Sequence, residues 1–321
     1  MRASEDENVR PVTTPRDVPI ALLGYGAVGS AVDRHLRVHE DELAAATGLR
    51  LRVVHALVRD LSKQRGYPPL DGVLTTSFDR ILEDQAVVAV AELMGGIDTT
   101  RRYIDALLED GKGVATANKQ LLAHQGRDLF SKVRIGGSVC GAIPLVETLV
   151  RGLPPGACTR VSGIVNGTTN YLLTRVESGS SWVEAIGEAR RRHYVEQDPT
   201  EDLSGADAAA KMAIIASLAF GELVTIDDVA YEGIEGLDEH DVRAARTRGR
   251  ALRLVGSATR SGVSVRVAEL DQAHPFAQLC GADNAVLLEG TGFRQILLAG
   301  PGAGGQETAS AVVADLFELV R

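Results

Sequence analysis

The feature that most constrains the fold is a glycine-rich turn between an apolar run and a helical pattern near the start of the chain. Residues 18–36 read VPIALLGYGAVGSAVDRHL, in which Gly24, Gly26 and Gly29 form the pattern G-x-G-x-x-G. In a strand–turn–helix unit the first glycine permits a tight turn, the second lets the backbone approach a pyrophosphate, and the third packs the helix on the strand. The pattern predicts a dinucleotide-binding unit, with a bare strand–turn–helix as the alternative.

Further apolar runs and helical patterns alternate over the next hundred residues. After the strand that precedes the glycine turn, the sequence predicts a second strand, a third strand, a helix and a fourth strand within residues 49–60, 86–96, 99–109 and 113–117. This alternation is typical of a parallel, doubly wound α/β sheet, in which ligands bind beyond the carboxyl ends of the strands. Gly95 and the pair Asn118-Lys119 fall at such ends, so Lys119 is either a candidate for chemistry or a solvated loop lysine.

Cations follow the second predicted strand, where a site that prefers NAD usually has a carboxylate. Arg59 and Asp60 come at the end of that strand, and Lys63 lies in the same loop. An acidic residue at this place holds the ribose 2′-hydroxyl of NAD, whereas cations suit the 2′-phosphate of NADP. The loop therefore favours NADP over NAD, with a solvated basic loop as the alternative.

A charged segment stands out in the second half of the chain. Residues 194–211 read YVEQDPTEDLSGADAAAK, and a helical pattern runs from about Leu203 to Phe220 with Gly221 as its stop. Asp207 and Lys211 share one face of that helix, which is apolar nearly all round and therefore predicted to be buried. The two residues form either an ordinary ion pair or part of a site for a charged substrate.

Length and charge limit the classes of protein to which the chain can belong. Its 321 residues are 45% hydrophobic, which suits a large core and about two domains. The net charge of −9 argues against nucleic acid or an anionic membrane as a partner. The three cysteines form no metal or disulfide pattern, so a reduced, cytoplasmic compartment is expected. Residues 1–17 lack the apolar core of a signal peptide and are predicted to be a flexible tail.

Several motifs, in one order along the chain, make it resemble the homoserine dehydrogenases. They read LGYGAVGSAV, ELMGG, TANKQLL, GIVNGTTNY, YVEQDPTEDLSGADAAAK and GPGAGGQETASAVVAD. The resemblance implies a Rossmann-like doubly wound parallel sheet plus an α+β domain for substrate binding and dimerisation. It also implies the reversible, NAD(P)-dependent reduction of L-aspartate 4-semialdehyde to L-homoserine, in threonine and methionine biosynthesis. Because the chain ends at Arg321, regulation by threonine through a C-terminal ACT domain is not expected.

The resemblance also assigns roles to residues that match these motifs. It implies catalysis by Lys119 and Lys211, with Asp207 as the partner of Lys211. The sequence does not decide which lysine donates the proton; our hypothesis is that Lys211 faces the carbonyl oxygen and Lys119 relays protons. The residues implied to bind substrate are Glu196, Asp202, Tyr194 and Thr168. The residues expected to bind the cofactor are Gly24, Gly26, Ala27, Val28, Gly29, Arg59, Lys63, Gly95, Asn118, Gly167 and Gly302.

The expected domains are a nucleotide-binding domain over residues 18–143 and a substrate-binding and dimerisation domain over residues 144–305. A final helix over residues 306–321 is expected to pack back on the first domain, and strands of the second are expected to build a homodimer. In some members of the family, backbone carbonyls bind Na⁺ or K⁺ at positions that match Val139, Gly141 and Ile143. One departure lies nearby, since Gly136 stands where the family usually has a glutamate.

Two other functions fit many of the same residues. One is a relative that acts on another amino-acid-like semialdehyde or carbonyl, and the other is a non-catalytic NADP-binding protein. The presence of both Lys119 and Lys211 argues against the second, because a protein that only binds nucleotide needs neither. If the chain is an enzyme, the two lysines should face one cleft between the domains, where burial and the second lysine are expected to lower the pKa of the catalytic one.

Overall fold

The computed structural model describes residues 14–195 and 198–321, and its first half is built on a five-stranded sheet. The elements of this half are β1 (Arg16–Leu23), α1 (Ala27–Val38), α2 (Glu40–Thr47), β2 (Leu49–Leu57), β3 (Leu74–Thr75), α3 (Asp79–Leu82), β4 (Ala89–Glu92), α4 (Asp98–Glu109), β5 (Gly113–Thr116) and α5 (Lys119–Gln125). The strand order is β3-β2-β1-β4-β5, and all neighbouring strands are parallel. The order reverses beside β1, where doubly wound sheets bind ligands. The predicted fold class of this half is confirmed.

Apolar side chains cover both faces of this sheet. Successive residues of a strand point to opposite sides, so Ile20 and Leu22 of β1 join a core that includes residues of α1. Ala21 and Leu23 join a second core, on the other face, that includes residues of α4. A sheet buried on both faces explains why its central strands read as continuous apolar runs rather than alternating ones.

The second half is built on a six-stranded mixed sheet. The remaining elements are α6 (Leu145–Glu147), β6 (Cys158–Ile164), α7 (Gly167–Glu177), α8 (Trp182–Arg191), α9 (Thr200–Leu203), α10 (Ala206–Phe220), β7 (Val229–Tyr231), α11 (Glu239–Thr247), β8 (Arg250–Thr259), β9 (Gly262–Asp271), β10 (Asp283–Gly290), β11 (Arg294–Pro301) and α12 (Gly305–Val320). The strand order is β11-β10-β6-β8-β9-β7, antiparallel except between β7 and β9. The α+β architecture that the resemblance implies for this half is therefore present.

Helix α10 is the buried centre of the second half. All of its residues are buried except Ala206 and Leu218. It ends at Gly221, whose φ of 70° is left-handed, as predicted. The predicted start near Leu203 is wrong, because Gly205 has a φ of 84° and separates α10 from the short α9. A Cβ at Gly205 would meet the carbonyl oxygen of Glu232 at 2.7 Å, so the close approach of another loop requires this glycine.

Helix α12 packs on the first sheet. Its residues Val312 and Leu316 belong to the same core as Ile20 and Leu22 of β1. The helix begins at Gly305, one residue before the predicted bound. The first strand begins at Arg16, two residues inside the segment predicted as a tail, and residues 1–13 lie outside the described ranges. Within those ranges, no helix is both long and apolar enough to cross a membrane.

Candidate active site

A cleft of about 430 Å³ lies between the two halves of the chain, beyond the carboxyl ends of β4 and β5. Its lining includes six of the predicted catalytic and cofactor-binding residues, namely Val28, Gly95, Asn118, Lys119, Lys211 and Gly302. Lys119 belongs to the first half and Lys211 to α10 of the second. The structure thus places both lysines in one interdomain cleft, as the sequence predicts.

The three glycines of the G-x-G-x-x-G turn differ in how closely other atoms approach them. Gly24 has a φ of 108°, and a Cβ there would meet the carbonyl oxygen of Leu93 at 2.7 Å. A Cβ at Gly29 would meet the carbonyl oxygen of Gly24 at 2.2 Å, which is the close helix–strand contact expected of the third glycine. A Cβ at Gly26 would meet nothing within 4 Å. The open face at Gly26 suits a phosphate, since α1 starts there and its first turn, from Ala27, carries no acidic residue.

The loop after β2 presents cations beside this turn. The N–H of Gly24 donates to the carbonyl oxygen of Leu57, the last residue of β2, at 3.0 Å. Asp60 accepts hydrogen bonds from the N–H and the hydroxyl of Ser62. These bonds lower the pKa of Asp60 and hold its carboxylate within the loop. Arg59 and Lys63 are exposed. The positive groups of this loop, rather than its carboxylate, are therefore free to meet a ligand.

Buried polar groups at the ends of β4 and β5 shape the cleft. Glu92 accepts hydrogen bonds from the N–H groups of Met94 (2.8 Å) and Gly95 (3.3 Å) and from the hydroxyl of Thr116 (2.5 Å). Burial raises the pKa of Glu92, although these bonds act in the opposite direction. Asn118 donates to the carbonyl oxygen of Gly96 at 2.6 Å and caps α5, which begins at Lys119. Glu92 was not predicted as a site residue, because its only signal in the sequence is its place at the end of an apolar strand.

Asp207 joins the two lysines. Its Oδ1 accepts a hydrogen bond from Nζ of Lys119, and its Oδ2 accepts one from Nζ of Lys211 at 2.8 Å. Lys211 also donates to the carbonyl oxygen of Val165 at 2.9 Å. The side chains of Asp207 and Lys211 are only 5% and 11% exposed, whereas that of Lys119 is 32% exposed. The result is a Lys–Asp–Lys group that reaches from the interior to the solvent.

The charges of this group determine its protonation. Burial alone would raise the pKa of Asp207, but the ammonium groups of Lys211 and Lys119 hold it well below its usual range. Burial alone would lower the pKa of Lys211, but the carboxylate of Asp207 outweighs burial and raises it. The expectation that burial and a second lysine lower the pKa of the catalytic lysine is therefore wrong for Lys211, because a carboxylate lies between the two ammonium groups.

A second carboxylate, Asp202, adjoins Asp207. Asp202 lies on α9, and its Oδ1 accepts a 2.6 Å hydrogen bond from the side chain of Asn166, which also donates to Asp207 at 2.8 Å. Burial and the charge of Asp207 raise the pKa of Asp202, against the effect of the bond from Asn166. Asn166 lies in the motif GIVNGTTNY, but no role was predicted for it, and its contact with two carboxylates was missed.

The structure shows contacts for two of the three other residues predicted to bind substrate, Thr168 and Tyr194. The hydroxyl of Thr168 donates to the carbonyl oxygen of Tyr194 at 2.8 Å, so these two residues adjoin. The ring of Tyr194 packs edge-on against that of Tyr171, with 5.1 Å between the centroids. Glu196 lies outside the described residues, so its contact with substrate stays a prediction.

Two glycines predicted to contact the cofactor occupy different surroundings. Gly302 lines the cleft, and a Cβ there would overlap the side chain of Asn284 at 1.9 Å. Gly167 begins α7, and a Cβ there would meet the carbonyl oxygen of Ala282 at 2.1 Å. Packing alone accounts for Gly167, and its contact with the cofactor stays a prediction.

Gly136, which stands where the family usually has a glutamate, lies against a buried carboxyl group on α12. The N–H of Gly136 donates to Oδ2 of Asp315 at 2.8 Å, and a Cβ at Gly136 would meet Oδ1 of Asp315 at 2.9 Å. Burial, with the nearby charge of Glu147, raises the pKa of Asp315 to about 7. A glutamate at position 136 would crowd this buried group and bring a like charge to it, so glycine is the residue that fits.

In the predicted cation site, the carbonyl group of Ile143 already has a hydrogen-bond partner, and so does that of the neighbouring Cys140. The carbonyl oxygen of Ile143 accepts from the N–H of Leu145 at 2.7 Å, and that of Cys140 accepts from the N–H of Ile143 at 3.0 Å. Gly141 is in close contact with Gly302, since a Cβ at Gly141 would meet its carbonyl carbon at 2.9 Å. These contacts give no independent support for a bound Na⁺ or K⁺ at Val139, Gly141 and Ile143, and that site stays a prediction.

Known homoserine dehydrogenases resemble this chain over almost its full length. The family model described as homoserine dehydrogenase matches residues 144–317, and the model of the homoserine dehydrogenase NAD binding domain matches residues 24–139. Homoserine dehydrogenase of Bacillus subtilis is 36% identical over 316 residues, which cover 95% of this chain and 73% of that protein. The enzyme of Mycobacterium leprae is 39% identical over 323 residues, with the same shares covered.

A solved structure agrees with these sequence matches. The crystal structure of a homoserine dehydrogenase from Thiobacillus denitrificans superposes with a TM-score of 0.88 at 34% identity, covering 95% of this chain and 74% of that one. The likeness includes both halves of the molecule, which between them carry the glycine turn and the two lysines of the cleft. The chain belongs to the homoserine dehydrogenase family.

Proposed function

We propose that Lys119, Asp207 and Lys211 carry the chemistry of this homoserine dehydrogenase, which interconverts L-aspartate 4-semialdehyde and L-homoserine with a nicotinamide cofactor. The supporting observation is the bridge that Asp207 makes between the two lysines beside the cleft. A protein that only binds nucleotide has no use for two ammonium groups held on one buried carboxylate. The test is homoserine-dependent reduction of NADP⁺ by the wild-type protein, and protein that binds nucleotide without turnover would refute the proposal.

The roles of the lysines follow from charge and exposure. The bound cofactor supplies the hydride that reduces the carbonyl carbon, so negative charge develops on the substrate oxygen. Lys211, kept cationic by Asp207, donates a hydrogen bond and then a proton to that oxygen. Lys119, which is about a third exposed, exchanges protons with solvent and keeps Asp207 in place. In the reverse direction neutral Lys211 accepts the hydroxyl proton, so homoserine oxidation should rise with pH.

The substrate's ammonium group is proposed to bind carboxylates near Asp207. Asp202 is adjacent through Asn166, and Glu196 lies in the same acidic segment of the sequence. Thr168 and Tyr194, which are hydrogen-bonded to each other, complete the proposed pocket. Two carboxylates provide the charge that a zwitterionic substrate needs at one end, while the lysines act on its carbonyl at the other.

The pyrophosphate of the cofactor is proposed to bind at Gly26, and two alanine substitutions test this. Gly26→Ala should leave stability near that of wild type, because its Cβ meets nothing within 4 Å. It should nevertheless weaken NADP⁺ binding about tenfold, equivalent to about 1.4 kcal/mol, because the methyl group fills the proposed phosphate face. Fluorescence titration measures the binding, and thermal unfolding measures the stability.

Gly29→Ala is the matched comparison for this experiment. Its Cβ would meet backbone oxygen at 2.2 Å, so it should lower the free energy of unfolding by about 1–3 kcal/mol. Normal NADP⁺ affinity in Gly26→Ala would place the pyrophosphate elsewhere.

Arg59 and Lys63 are proposed to select NADP by binding its 2′-phosphate. The double variant Arg59→Ala/Lys63→Ala should raise the KM for NADP⁺ by about 10- to 100-fold, since a hydrogen bond to a charged group contributes about 1.5–3 kcal/mol. The KM for NAD⁺ should change little. Arg102→Ala, which removes an exposed cation from α4, is the control. Equal effects on both cofactors would rule out 2′-phosphate recognition by this loop.

We also propose a homodimer formed through the second sheet, with residues 18–143 as nucleotide domain and 144–305 as substrate domain. Support for the interface comes from edge strand β11, where Leu297 is 47% exposed. Sedimentation equilibrium tests the homodimer, and a monomer at micromolar concentration would exclude it.

A cytoplasmic location is supported by three free cysteines and is tested by cell fractionation. The dependence of the rate on Na⁺ or K⁺ tests the predicted cation site.

A further inference from the structure

One buried side chain, Asn166, contacts the two carboxylates that are proposed to act on different parts of the substrate. It lies just after β6 and caps α7, with 3% of its surface exposed. Its Oδ1 accepts hydrogen bonds from the N–H (2.8 Å) and the hydroxyl (2.9 Å) of Thr169. Because only the oxygen of an amide accepts hydrogen bonds, these contacts fix the orientation of the side chain.

The NH₂ group of Asn166 donates to both carboxylates. The distance from Nδ2 is 2.6 Å to Oδ1 of Asp202 and 2.8 Å to Oδ2 of Asp207. The carbonyl oxygen of the preceding residue, Val165, accepts from the ammonium group of Lys211 at 2.9 Å. Residues 165 and 166 together therefore contact the carboxylate proposed for substrate binding, the bridging carboxylate and the lysine proposed as proton donor.

We propose that Asn166 is a positioning residue that holds Asp202 and Asp207 together, so that ammonium recognition and proton transfer act on one bound substrate. This inference rests on the roles proposed above for the two carboxylates. Like charges at such close range repel, and a shared N–H donor offsets that repulsion. Without the donor, Asp202 should move away or take up a proton, and Asp207 should lose a contact that orients it toward the lysines.

Two substitutions separate this role from simple capping of α7. Serine and aspartate cap helices about as well as asparagine, so Asn166→Ser and Asn166→Asp keep the cap and remove both N–H donors. We expect Asn166→Ser to raise the KM for homoserine about tenfold, with the KM for NADP⁺ unchanged. Asn166→Asp also adds a third carboxylate, and we expect kcat to fall about 100-fold. Asp238→Ser changes the cap of α11 and should behave as wild type.

The pH dependence of the rate distinguishes a positioning role from helix capping alone, because loss of the cap would not shift the pH at which the rate rises. Lys211 faces Asp207 on its own helix, Asp202 on α9 and Cys140 in the lining of the cleft, while Lys119 of α5 shares Asp207. A new carboxylate at position 166 favours the protonated form of Lys211. The rise of kcat/KM for homoserine oxidation should therefore move by about one pH unit to higher pH in Asn166→Asp, compared with Asn166→Ser.

Lysine titration by NMR gives the same information without turnover. The chain has five lysines, namely Lys63, Lys112, Lys119, Lys132 and Lys211. A sample with ¹³C-labelled lysine side chains therefore gives few signals. Single Lys→Arg variants assign each signal to its residue. The signal of Lys211 should titrate at higher pH in Asn166→Asp than in wild type. The pH at which the signal of Lys211 titrates should be the same in Lys112→Arg as in wild type, and this variant controls for the labelling and assignment.

The outcomes distinguish this inference from the proposed function. Wild-type kinetics and wild-type lysine titration in both Asn166 variants would overturn the positioning role. If the wild-type protein does not oxidise homoserine, the proposed function fails, while the titration of Lys211 in Asn166→Asp still decides the role of Asn166. If Asn166→Asp does not fold, as judged by circular dichroism, the kinetics and titration of Asn166→Ser decide it.

Discussion

Replacement of Lys211 by alanine is expected to lower kcat for homoserine oxidation about 1,000-fold while NADP⁺ binding is retained. Lys211 lines the cleft and is held there by Asp207 and by the carbonyl group of Val165. A positioned general acid or base contributes about 10²- to 10⁴-fold to a rate. Steady-state rates and nucleotide binding, measured on one preparation, separate a loss of chemistry from a loss of cofactor.

Two further lysine variants complete this experiment. Lys132→Ala removes a lysine that is half exposed and paired with Asp128 on the surface, so its rate should equal that of wild type. Lys119→Ala tests the division of roles, and it should also reduce kcat, because Lys119 links Asp207 to solvent. Near-normal kcat in Lys211→Ala together with loss in Lys119→Ala would reverse the roles assigned here.

The second large effect is expected in Asp207→Asn, which should lower the free energy of unfolding by about 3–5 kcal/mol at neutral pH. Asp207 is buried between the ammonium groups of Lys119 and Lys211. Asparagine removes the negative charge and leaves Lys211 as a buried cation without its partner. Asp105→Asn is the control, since its pair with Arg101 lies nearer the surface and should contribute less than about 1 kcal/mol.

The loss of stability in Asp207→Asn should depend on pH. In wild type the folded-state pKa of Lys211 lies above its unfolded value. Its contribution is therefore fully present below the unfolded pKa and is lost as the pH rises through the folded pKa. In the variant, burial should bring the folded pKa below the unfolded value, so stability should increase as the pH rises between the two. Urea unfolding should show a smaller deficit at alkaline than at neutral pH; a constant deficit would contradict the role of charge pairing.

Much of the fold was accessible from local patterns in the sequence. The glycine turn and the continuous apolar strands predict a parallel sheet covered on both faces, and that sheet is present. The apolar composition of α10 likewise predicts its burial. The break at Gly205 was missed because it depends on the approach of Glu232, which follows it by more than twenty residues and leaves no local pattern.

The site was predicted less completely, because its decisive contacts are non-local. The spacing of Asp207 and Lys211 on one helix predicts their pairing, which the structure shows. The contact between Lys119 and Asp207 joins residues 88 positions apart, so no local pattern predicts it. The carboxylate of Asp207 raises the pKa of Lys211, against the direction expected from burial and a second lysine. The contacts of Asn166 likewise depend on α9 and α10 meeting the end of β6.

We propose that one Lys–Asp–Lys group between the two domains serves the interconversion of homoserine and aspartate semialdehyde. The most direct measurement is the initial rate of NADPH formation when wild type, Lys119→Ala and Lys211→Ala are each mixed with L-homoserine and NADP⁺. We expect turnover by wild type and a large loss of rate in both variants, with NADP⁺ still bound. Absence of turnover in wild type that binds NADP⁺, or unchanged turnover in both variants, would contradict the claim.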